Sequence, residues 1–525
     1  MIQLKINRMF TPRINQLCLG MLSLFMGTTF CNAQKQAQIF KNYQKDATVL
    51  PDFSYAGYHN GEIGIPNDLN YKVFDVTAYG AKPNDAVSDK VAIQKAIQAA
   101  NANGSGIVFF PKGRFLVNED GDDLSRIVSK GSKIIFRGSG SGKDGTELFM
   151  KNTLQPTDPK KMWTVPTLFS FTSNGSDKKV GDVAASAKVG SFDLELSTSK
   201  GLKAGDWIVL KILDTNPDFI KSEFGEVAVN PTWTYITDKG LEIRVMYQIA
   251  KIKGQTITLA APIPYAVDAK YKWEVYKFAN SEEIGIEDIA FVGNWKEKFV
   301  HHASWIHDSG YSLVSISKTT NSWMKNCRFT DCSSAATISQ SANFTALNCI
   351  ITGTGGHNAI ASNGSTNVLI AKCVDEASQW HSFGASHCSM NTVIWDCTYP
   401  ATTCFESHSS QPRNTLLDGV TGGFMSSRAG GSVFNMPNHM QGLVLWNYTQ
   451  TSPVLKNFEF WPPKEIYWKL LKPTIVGFKS EGTTFIKEQL RYGESLDGLV
   501  EPASLYIAQL KIRLKKVPAW VSELP

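Results

Sequence analysis

The sequence predicts an all-β solenoid, in which short strands wind into stacked coils, and two observations lead to this prediction. First, the chain of 525 residues contains 41 glycines and many asparagines, serines and threonines, a composition that favours turns over long helices. Second, a short pattern ending in cysteine recurs at spacings of 22, 24 and 24 residues. A period in the low twenties, built from short β-rich segments, is typical of a solenoid.

The repeat is clearest in four copies that end at Cys327, Cys349, Cys373 and Cys397. Equivalent positions of successive coils stack one strand spacing apart, so these side chains should form an inward ladder of small apolar groups. Looser copies of the pattern fall at residues 286–289, 416–419 and 445–448.

The cysteine count favours free thiols over a disulfide framework. Seven of the nine cysteines lie between Cys327 and Cys404, and both the odd number and the clustering are unusual for a disulfide-bonded secreted domain. We predict that most of the seven are buried free thiols. One bridge outside the ladder, involving Cys332, Cys388 or Cys404, stays open.

The N-terminus has the pattern of a secretory signal peptide. A basic start is followed by an apolar run at residues 17–26 and a small-residue cleavage site at Ala33. The apolar run is too short for a permanent membrane span. We therefore expect an exported protein, secreted or periplasmic, with no integral membrane span.

Two helices flank the predicted strands. Residues 88–100 have Ile93, Ala96 and Ile97 on one face and Ser88 as the expected N-cap, and this helix should cover the open end of the solenoid. Near the C-terminus, Leu505, Ala508 and Ile512 have helical spacing and predict a packing helix.

Strand-like segments at residues 192–196, 207–212 and 256–259 predict a small β-rich insertion. The predicted organisation is a signal peptide (1–33), an N-terminal segment (34–70), a cap with the first coils (71–140), the insertion (141–280), the main coils (281–480) and a C-terminal packing segment (481–525).

Residues 73–82, the predicted helix and the strand and turn at residues 107–113 together resemble the pectate-lyase-like superfamily. The resemblance implies a single-stranded right-handed parallel β-helix, a fold whose members mostly act on polysaccharides. Ala86 and Lys90 depart from the usual cap pattern, where Gly and Asp are common. Segments 301–305 and 405–413 look like an uncharacterised bacterial subgroup that offers no activity to carry over. The paired-Asp motifs of β-helix pectin hydrolases and the signature of calcium pectate lyases are absent.

Histidines are concentrated in the main coils, with eight of nine between His301 and His439. Aligning the coils on the cysteine ladder predicts one column of polar side chains at Gln340, Asn363, His387 and His408, and a second column at His357 and His381. Glu406 should point the same way as His408, because strand residues two apart share a face. Arg413 follows at the next turn.

These residues are the candidate site. The predicted catalytic residues are His387, Glu406, His408 and Arg413, and the predicted substrate-binding residues are His357, His381, Arg428, Asn438 and His439. Loop residues His301, His302 and Asp308 are further candidates, although a surface role fits them equally well. In the alternative interpretation, the column is only a hydrogen-bonded polar ladder that stabilises the coils.

Two chemistries fit such a site. A lyase needs a base, a proton donor and a group that holds the substrate carboxylate, and histidine, glutamate and arginine fill these roles. A glycoside hydrolase needs two carboxyl groups, yet Glu406 is the only acid placed in the column. We therefore hypothesise a lyase that cleaves a uronate-containing polysaccharide by β-elimination. A hydrolase on the same fold and a non-catalytic carbohydrate-binding solenoid are the alternatives.

Charge and motif content limit the partners. Lys and Arg exceed Asp and Glu by only 53 − 47 = 6, which argues against nucleic acid. No tight metal-ligand motif is present, so a cofactor such as calcium stays open. We expect a monomer that binds a polysaccharide.

Overall fold

The computed structural model describes residues 35–523, which form stacked coils of parallel strands. The signal peptide predicted at residues 1–33 lies outside the described residues. Most coils contribute one strand to each of three parallel sheets, here called the first, second and third sheets.

The first sheet contains Val73–Asp75, Gly106–Phe109, Ile134–Arg137, Ser281–Glu282, Gly285–Glu287, Thr319–Lys325, Ala342–Leu347, Thr366–Ala371, Met390–Trp395, Arg413–Asp418, Thr421–Gly422, Leu443–Gln450, Thr474–Lys479 and Tyr492–Glu494. The second sheet contains Gly113–Val117, Thr146–Met150, Ala290–Val292, Arg328–Thr330, Ile350–Thr352 and Val374–Asp375. The third sheet contains Ile127–Ser129, Phe169–Phe171, Ser312–Ser317, Ser334–Ser339, Asn358–Asn363, Gly384–Ser386 and Glu406–His408.

The cysteine ladder is stacked as predicted. The amide of Ile350 donates to the carbonyl of Cys327 at 2.9 Å, and the amide of Val374 donates to the carbonyl of Cys349 at the same distance. All four ladder cysteines lie in the apolar core of the coils. The seven cysteines of the described chain are free and buried, which confirms the prediction of free thiols. Burial raises the pKa of the Cys404 thiol to about 12, so this thiol stays protonated.

The capping helix spans Lys90–Ala102, two residues later than predicted, and its N-cap residue is Asp89 rather than Ser88. The Asp89 carboxylate accepts hydrogen bonds from the amides of Lys82 and Leu116 outside the helix. The Gln94 side chain donates one hydrogen bond to the backbone of Val128 and accepts another from it. Val128 lies in Ile127–Ser129, the strand at one edge of the third sheet. The helix thus satisfies backbone groups that the end of the solenoid would otherwise leave unpaired.

The insertion is an antiparallel sheet of Lys178–Asp182, Asp193–Glu195, Trp207–Asp214, Leu241–Lys253, Thr256–Leu259 and Glu274–Lys277. It begins later than the predicted boundary at residue 141, because strands Thr146–Met150 and Phe169–Phe171 pair with coil strands instead. The amide of Met246 donates to the Thr366 hydroxyl at 3.1 Å, which joins the insertion to the first sheet.

The α-helices are Gln38–Tyr43, Lys90–Ala102, Pro217–Phe224, Leu505–Leu514 and Ala519–Ser522. Shorter helical turns occur at Ala47–Val49, Tyr58–Gly61, Val76–Tyr79, Met162–Thr164, Tyr235–Lys239, Ile306–Gly310, Ser426–Arg428, Val433–Asn435 and Lys487–Gln489. Between residues 35 and 523, none of the helices has the length and apolar character needed to cross a bilayer.

The C-terminal helix packs on the outer face of the first sheet. It buries Leu505, Tyr506 and Leu510, whereas Ile512, predicted to face the sheet, is 36% exposed. The Asp418 carboxylate accepts hydrogen bonds from the first two amides of the helix and from its N-cap hydroxyl, which fixes the helix to the sheet and sets its rotation. The rotation was not predictable from spacing alone, because it depends on this contact.

We expect seven titratable thiols in the mature chain after denaturation without reductant. The seven thiols are buried, and burial keeps them away from oxidants in solution. Ellman's reagent in guanidinium measures the count directly. A value of five or fewer would contradict the free-thiol arrangement, and reduction before denaturation provides the reference value.

Candidate active site

The candidate site lies on the outer face of the third sheet, beneath two loops at residues 293–311 and 423–442. Phe405 belongs to the core, so the alternation of strand residues directs Glu406 and His408 outward. Glycine is required at two points of close approach. A side chain at Gly384 would collide with Glu406, and one at Gly430 would collide with the His408 ring.

Three histidines meet at this face. The ring centroids of His357 and His381, on adjacent coils, are 5.2 Å apart, and His301 from the first loop lies 5.4 Å from His357 and 5.6 Å from His381. One ring nitrogen from each of the three lies within 4.8 Å of the other two. The His408 ring follows at 6.2 Å from His381.

Backbone carbonyls orient two of these rings. His357 Nδ1 lies 3.0 Å from the carbonyl oxygen of Asp308, and His381 Nδ1 lies 2.8 Å from that of Arg428. A carbonyl oxygen only accepts, so each Nδ1 carries the proton and each Nε2 carries a lone pair. Both Nε2 atoms are buried and have no hydrogen-bond partner within the described residues. Asn358 Nδ2 lies 3.3 Å from His357 Nδ1, but two donors face each other in this tautomer and form no hydrogen bond.

Burial sets the protonation of the cluster. It lowers the pKa of His301 to about 4 and that of His408 to about 3, and it holds the pKa of His381 well below its usual value. Burial also raises the pKa of Glu406 to about 8, and Glu406 Oε1 lies 3.8 Å from His381 Nδ1. Near neutral pH the cluster therefore consists of uncharged imidazoles and a protonated carboxyl group.

Trp380 connects the two loops. The His301 ring stacks on it with centroids 5.1 Å apart and an interplanar angle of 17°, and the Arg428 guanidinium carbon lies 3.4 Å from the Trp380 centroid. Trp380 thus contacts a side chain from each loop and helps to position both. Arg428 Nη2 also donates to the carbonyl of Thr402 at 3.1 Å.

His302 and Asp308 form a second pair within the first loop. The Asp308 carboxylate is buried and lies 2.6 Å from His302 Nδ1, while the His302 ring is exposed and lies 3.7 Å from that of His301. The Asp308 carboxylate thus pairs with His302, while the backbone carbonyl of Asp308 accepts the hydrogen bond from His357. From the sequence, a surface role and a site role fitted His301, His302 and Asp308 equally well. The structure places all three at the cluster.

The predicted column is shifted by one residue at Gln340 and at His387. The strands place Ser339, Asn363, Ser386 and His408 in register, because successive coils here contain 24, 23 and 22 residues and a fixed-period alignment drifts. His387 lies in the turn beyond, with a left-handed φ of 54° and Nδ1 3.2 Å from the Ser386 hydroxyl. Its ring does not join the three-histidine group.

Arg413 makes its contacts elsewhere. Its Nε donates to Glu223 Oε2 at 3.1 Å and its Nη1 donates to the carbonyls of Glu242 and Gln411, so the buried guanidinium joins the insertion to the coils. Arg413 was predicted to act on the substrate near Glu406. Its guanidinium instead forms a contact between the insertion and the coils.

Two further predicted residues are fully engaged inside the fold. Asn438 donates to the carbonyl of Gly430 and accepts from the amide of Lys469. His439 is buried, with Nδ1 2.8 Å from the Met440 carbonyl and Nε2 2.9 Å from the Thr415 hydroxyl. These contacts stabilise the second loop and leave no polar atom of His439 for a substrate.

A cavity of about 430 Å³ lies apart from the histidines, between the N-terminal segment, the insertion and the first sheet. Its lining includes Tyr247, Tyr265 and Asn391, whose side-chain oxygens are buried. The candidate site is assigned to the histidine cluster because the titratable groups converge there.

Three family models match parts of the chain. A rhamnogalacturonase A/epimerase, pectate lyase-like model matches residues 73–161, a right-handed β-helix region matches residues 297–416, and a domain of unknown function (DUF4955) matches residues 378–524. The first two confirm the resemblance to the pectate-lyase-like superfamily of right-handed parallel β-helices. The third spans the second loop and the strand that bears Glu406. No curated protein matches this chain in sequence.

Solved structures with the same architecture are distant. The chain is 14% identical to the tailspike protein gp49 from Pseudomonas phage LKA1, with 78% of this chain and 64% of that chain covered and a TM-score of 0.44. It is 12% identical to the mannuronan C-5 epimerase AlgE4 A-module of Azotobacter vinelandii (81% and 96% covered, TM-score 0.37). It is 11% identical to an exopolygalacturonase from Thermotoga maritima (81% and 84% covered, TM-score 0.37). These likenesses are too distant to carry an inference about activity.

Arg413→Met should lower stability and leave the chemistry of the histidine cluster intact. Removing the guanidinium leaves Glu223 without its partner at the insertion interface, which should lower the free energy of unfolding by about 3 kcal/mol. Denaturant titration measures this loss, and adding Glu223→Gln should recover part of it. A stable Arg413→Met variant that has lost substrate turnover would contradict this structural role and would indicate that Arg413 takes part in catalysis.

Proposed function

We propose that this protein is a polysaccharide-active enzyme, and specifically a lyase that cleaves a uronate-containing chain by β-elimination. The match of residues 73–161 to the rhamnogalacturonase A/epimerase, pectate lyase-like family supports action on acidic polysaccharides. The observation that carries the proposal is the grouping of neutral imidazoles, one carboxyl group and one guanidinium on the outer face of the third sheet, beneath the two loops.

β-Elimination removes the proton next to the uronate carboxylate, forms a carbon–carbon double bond and expels the glycosidic oxygen. His408 is the proposed base, since its ring is neutral and lies half-buried at the end of the third sheet. Glu406, two residues away on the same face, is the proposed proton donor to the leaving oxygen. After the product leaves, His408 releases its proton to solvent and Glu406 takes one up, which restores both groups.

Arg428 is the proposed carboxylate-binding group, in place of Arg413. Its guanidinium is held flat against Trp380, and its Nε is buried without a partner in the described residues. A planar cation of this kind pairs with a carboxylate through two parallel hydrogen bonds. Binding the carboxylate also stabilises the charge that develops when the adjacent proton is removed.

A hydrolase is supported less well by the same geometry. Hydrolysis requires two carboxyl groups on either side of the bond, and in a retaining enzyme one of them must be ionised as the nucleophile. Asp308, the other buried acid of the cluster, is engaged by His302. We further propose that the protein is exported and monomeric, and that a polysaccharide is its partner.

His408→Ala should reduce turnover by about a hundred- to ten-thousand-fold, because general acid–base groups contribute on this scale. Glu406→Gln should lower turnover less, since water can protonate the leaving oxygen slowly. Ultraviolet absorbance of unsaturated ends and a reducing-end assay on a panel of acidic polysaccharides measure both variants. His59→Ala, at a histidine paired with Glu283 outside the cluster, is the matched control.

The same assays separate the alternatives. Reducing ends without ultraviolet absorbance would indicate a hydrolase, and retained binding without either product would indicate a non-catalytic solenoid. A His408→Ala variant with a lower melting temperature but normal turnover per folded molecule would show that the polar column only stabilises the coils.

Arg428→Gln should raise KM for an acidic polysaccharide by about ten- to a hundred-fold, the loss expected for a charge-assisted hydrogen bond. Arg428→Lys should restore little, because an ammonium group cannot form the two-pronged contact. Initial-rate measurements over a range of substrate concentrations check this expectation. An unchanged KM in Arg428→Gln would assign carboxylate binding to another group.

A further inference from the structure

We infer that His301, His357 and His381 form a binding site for a transition-metal dication of the zinc class. The inference concerns the resting protein and goes beyond the proposed reaction, which requires no metal. It rests on the placement of three imidazoles and on the hydrogen bonds that orient two of them.

The ligand separation is close to that of a metal site. With zinc–nitrogen bonds of about 2.0–2.1 Å in tetrahedral geometry, ligand nitrogens stand about 3.3 Å apart. The three nitrogens here lie within 4.8 Å of one another, so closure requires shifts of roughly an ångström. His301 is carried by the loop at residues 293–311, which can supply the movement, whereas His357 and His381 are fixed by parallel strand pairing.

The carbonyl contacts create the required tautomers. Metal-ligating histidines generally donate their other ring N–H to a carbonyl or carboxylate, which fixes the ring and raises its basicity. His357 and His381 each have this arrangement, through the carbonyls of Asp308 and Arg428. Their remaining nitrogens are the buried, unpartnered Nε2 atoms. A lone pair left unsatisfied in the interior is costly unless something binds it.

The donor type selects the ion. Imidazole nitrogens suit zinc, copper, iron and nickel, whereas calcium takes six to eight oxygen ligands. The three nitrogens therefore favour a transition metal over the calcium left open by the sequence. The Asp308 carboxylate, beside His302, offsets part of the positive charge of a bound ion, whereas the Arg428 guanidinium on Trp380 adds positive charge nearby.

The group provides three protein ligands, and no fourth His, Cys, Asp or Glu side chain from residues 35–523 joins it. Sites with three protein ligands leave a coordination position for water or for an oxygen of a bound molecule, as catalytic zinc sites do. Phe299 stacks on the His357 ring at 5.5 Å and 18°, which shields one side of the group from solvent.

The test uses untagged mature protein, stripped with a chelator and then titrated with Zn²⁺ by calorimetry and with Co²⁺ by visible absorption. We expect one ion per chain with micromolar or tighter affinity, and Co²⁺ bands of the intensity that four- or five-coordinate nitrogen sites show. His357→Ala and His381→Ala should each weaken Zn²⁺ binding at least a hundred-fold. His59→Ala is again the matched control and should bind as the parent protein does.

The absence of stoichiometric Zn²⁺ binding, or binding that survives the double variant His357→Ala/His381→Ala, would overturn the inference. His301→Ala, in the loop at residues 293–311, keeps the test decisive if the variants at the strand positions do not fold, because it should weaken binding while the metal-free protein still folds. Binding is measured without substrate. An inactive protein that binds Zn²⁺ at these residues would therefore refute only the proposed function, and an active protein that binds none would refute only the metal site.

Discussion

The structure depends on parallel backbone hydrogen bonding between successive coils. Each coil of 22 to 24 residues pairs in register with the next, so residues far apart in sequence are placed one strand spacing apart. The same constraint stacks the cysteines inside and brings His357 against His381 outside. Asparagine side chains reinforce it at one corner, where Asn343, Asn367 and Asn391 each donate to the amide oxygen of the preceding coil.

Stacking of the coils by itself only aligns histidine side chains on the outer face of the third sheet. The two loops add the groups that make this face a candidate site. The loop at residues 293–311 contributes His301 and the carbonyl that orients His357, while the loop at residues 423–442 contributes Arg428 and the carbonyl that orients His381. Both loops also exclude water from the strand face. Desolvation then keeps the imidazoles neutral and the Glu406 carboxyl protonated, a state that solvent exposure would not maintain.

The insertion and the terminal segments stabilise this arrangement from the other side of the coils. The strand Thr366–Ala371 is apolar on both faces, because Ile370 points into the core while Leu369 packs beneath the terminal segments. Arg413 joins the insertion to the same sheet through Glu223. The Arg413 guanidinium, which could have bound a substrate, thus holds the insertion to the coils instead. The proposed catalytic residues lie at the third sheet.

The sequence by itself determined the solenoid, its cysteine ladder, the capping helix and the region that holds the histidines, because these depend on local periodicity and on residue type. It also identified His381, Glu406 and His408, which share neighbouring coils. Only the tertiary structure decided that His387 lies in a turn outside the strand register and that Arg413 belongs to the insertion interface. A one-residue change in coil length rotates a side chain to another face, and a loop of nineteen residues at 293–311 has no period that fixes where His301 goes.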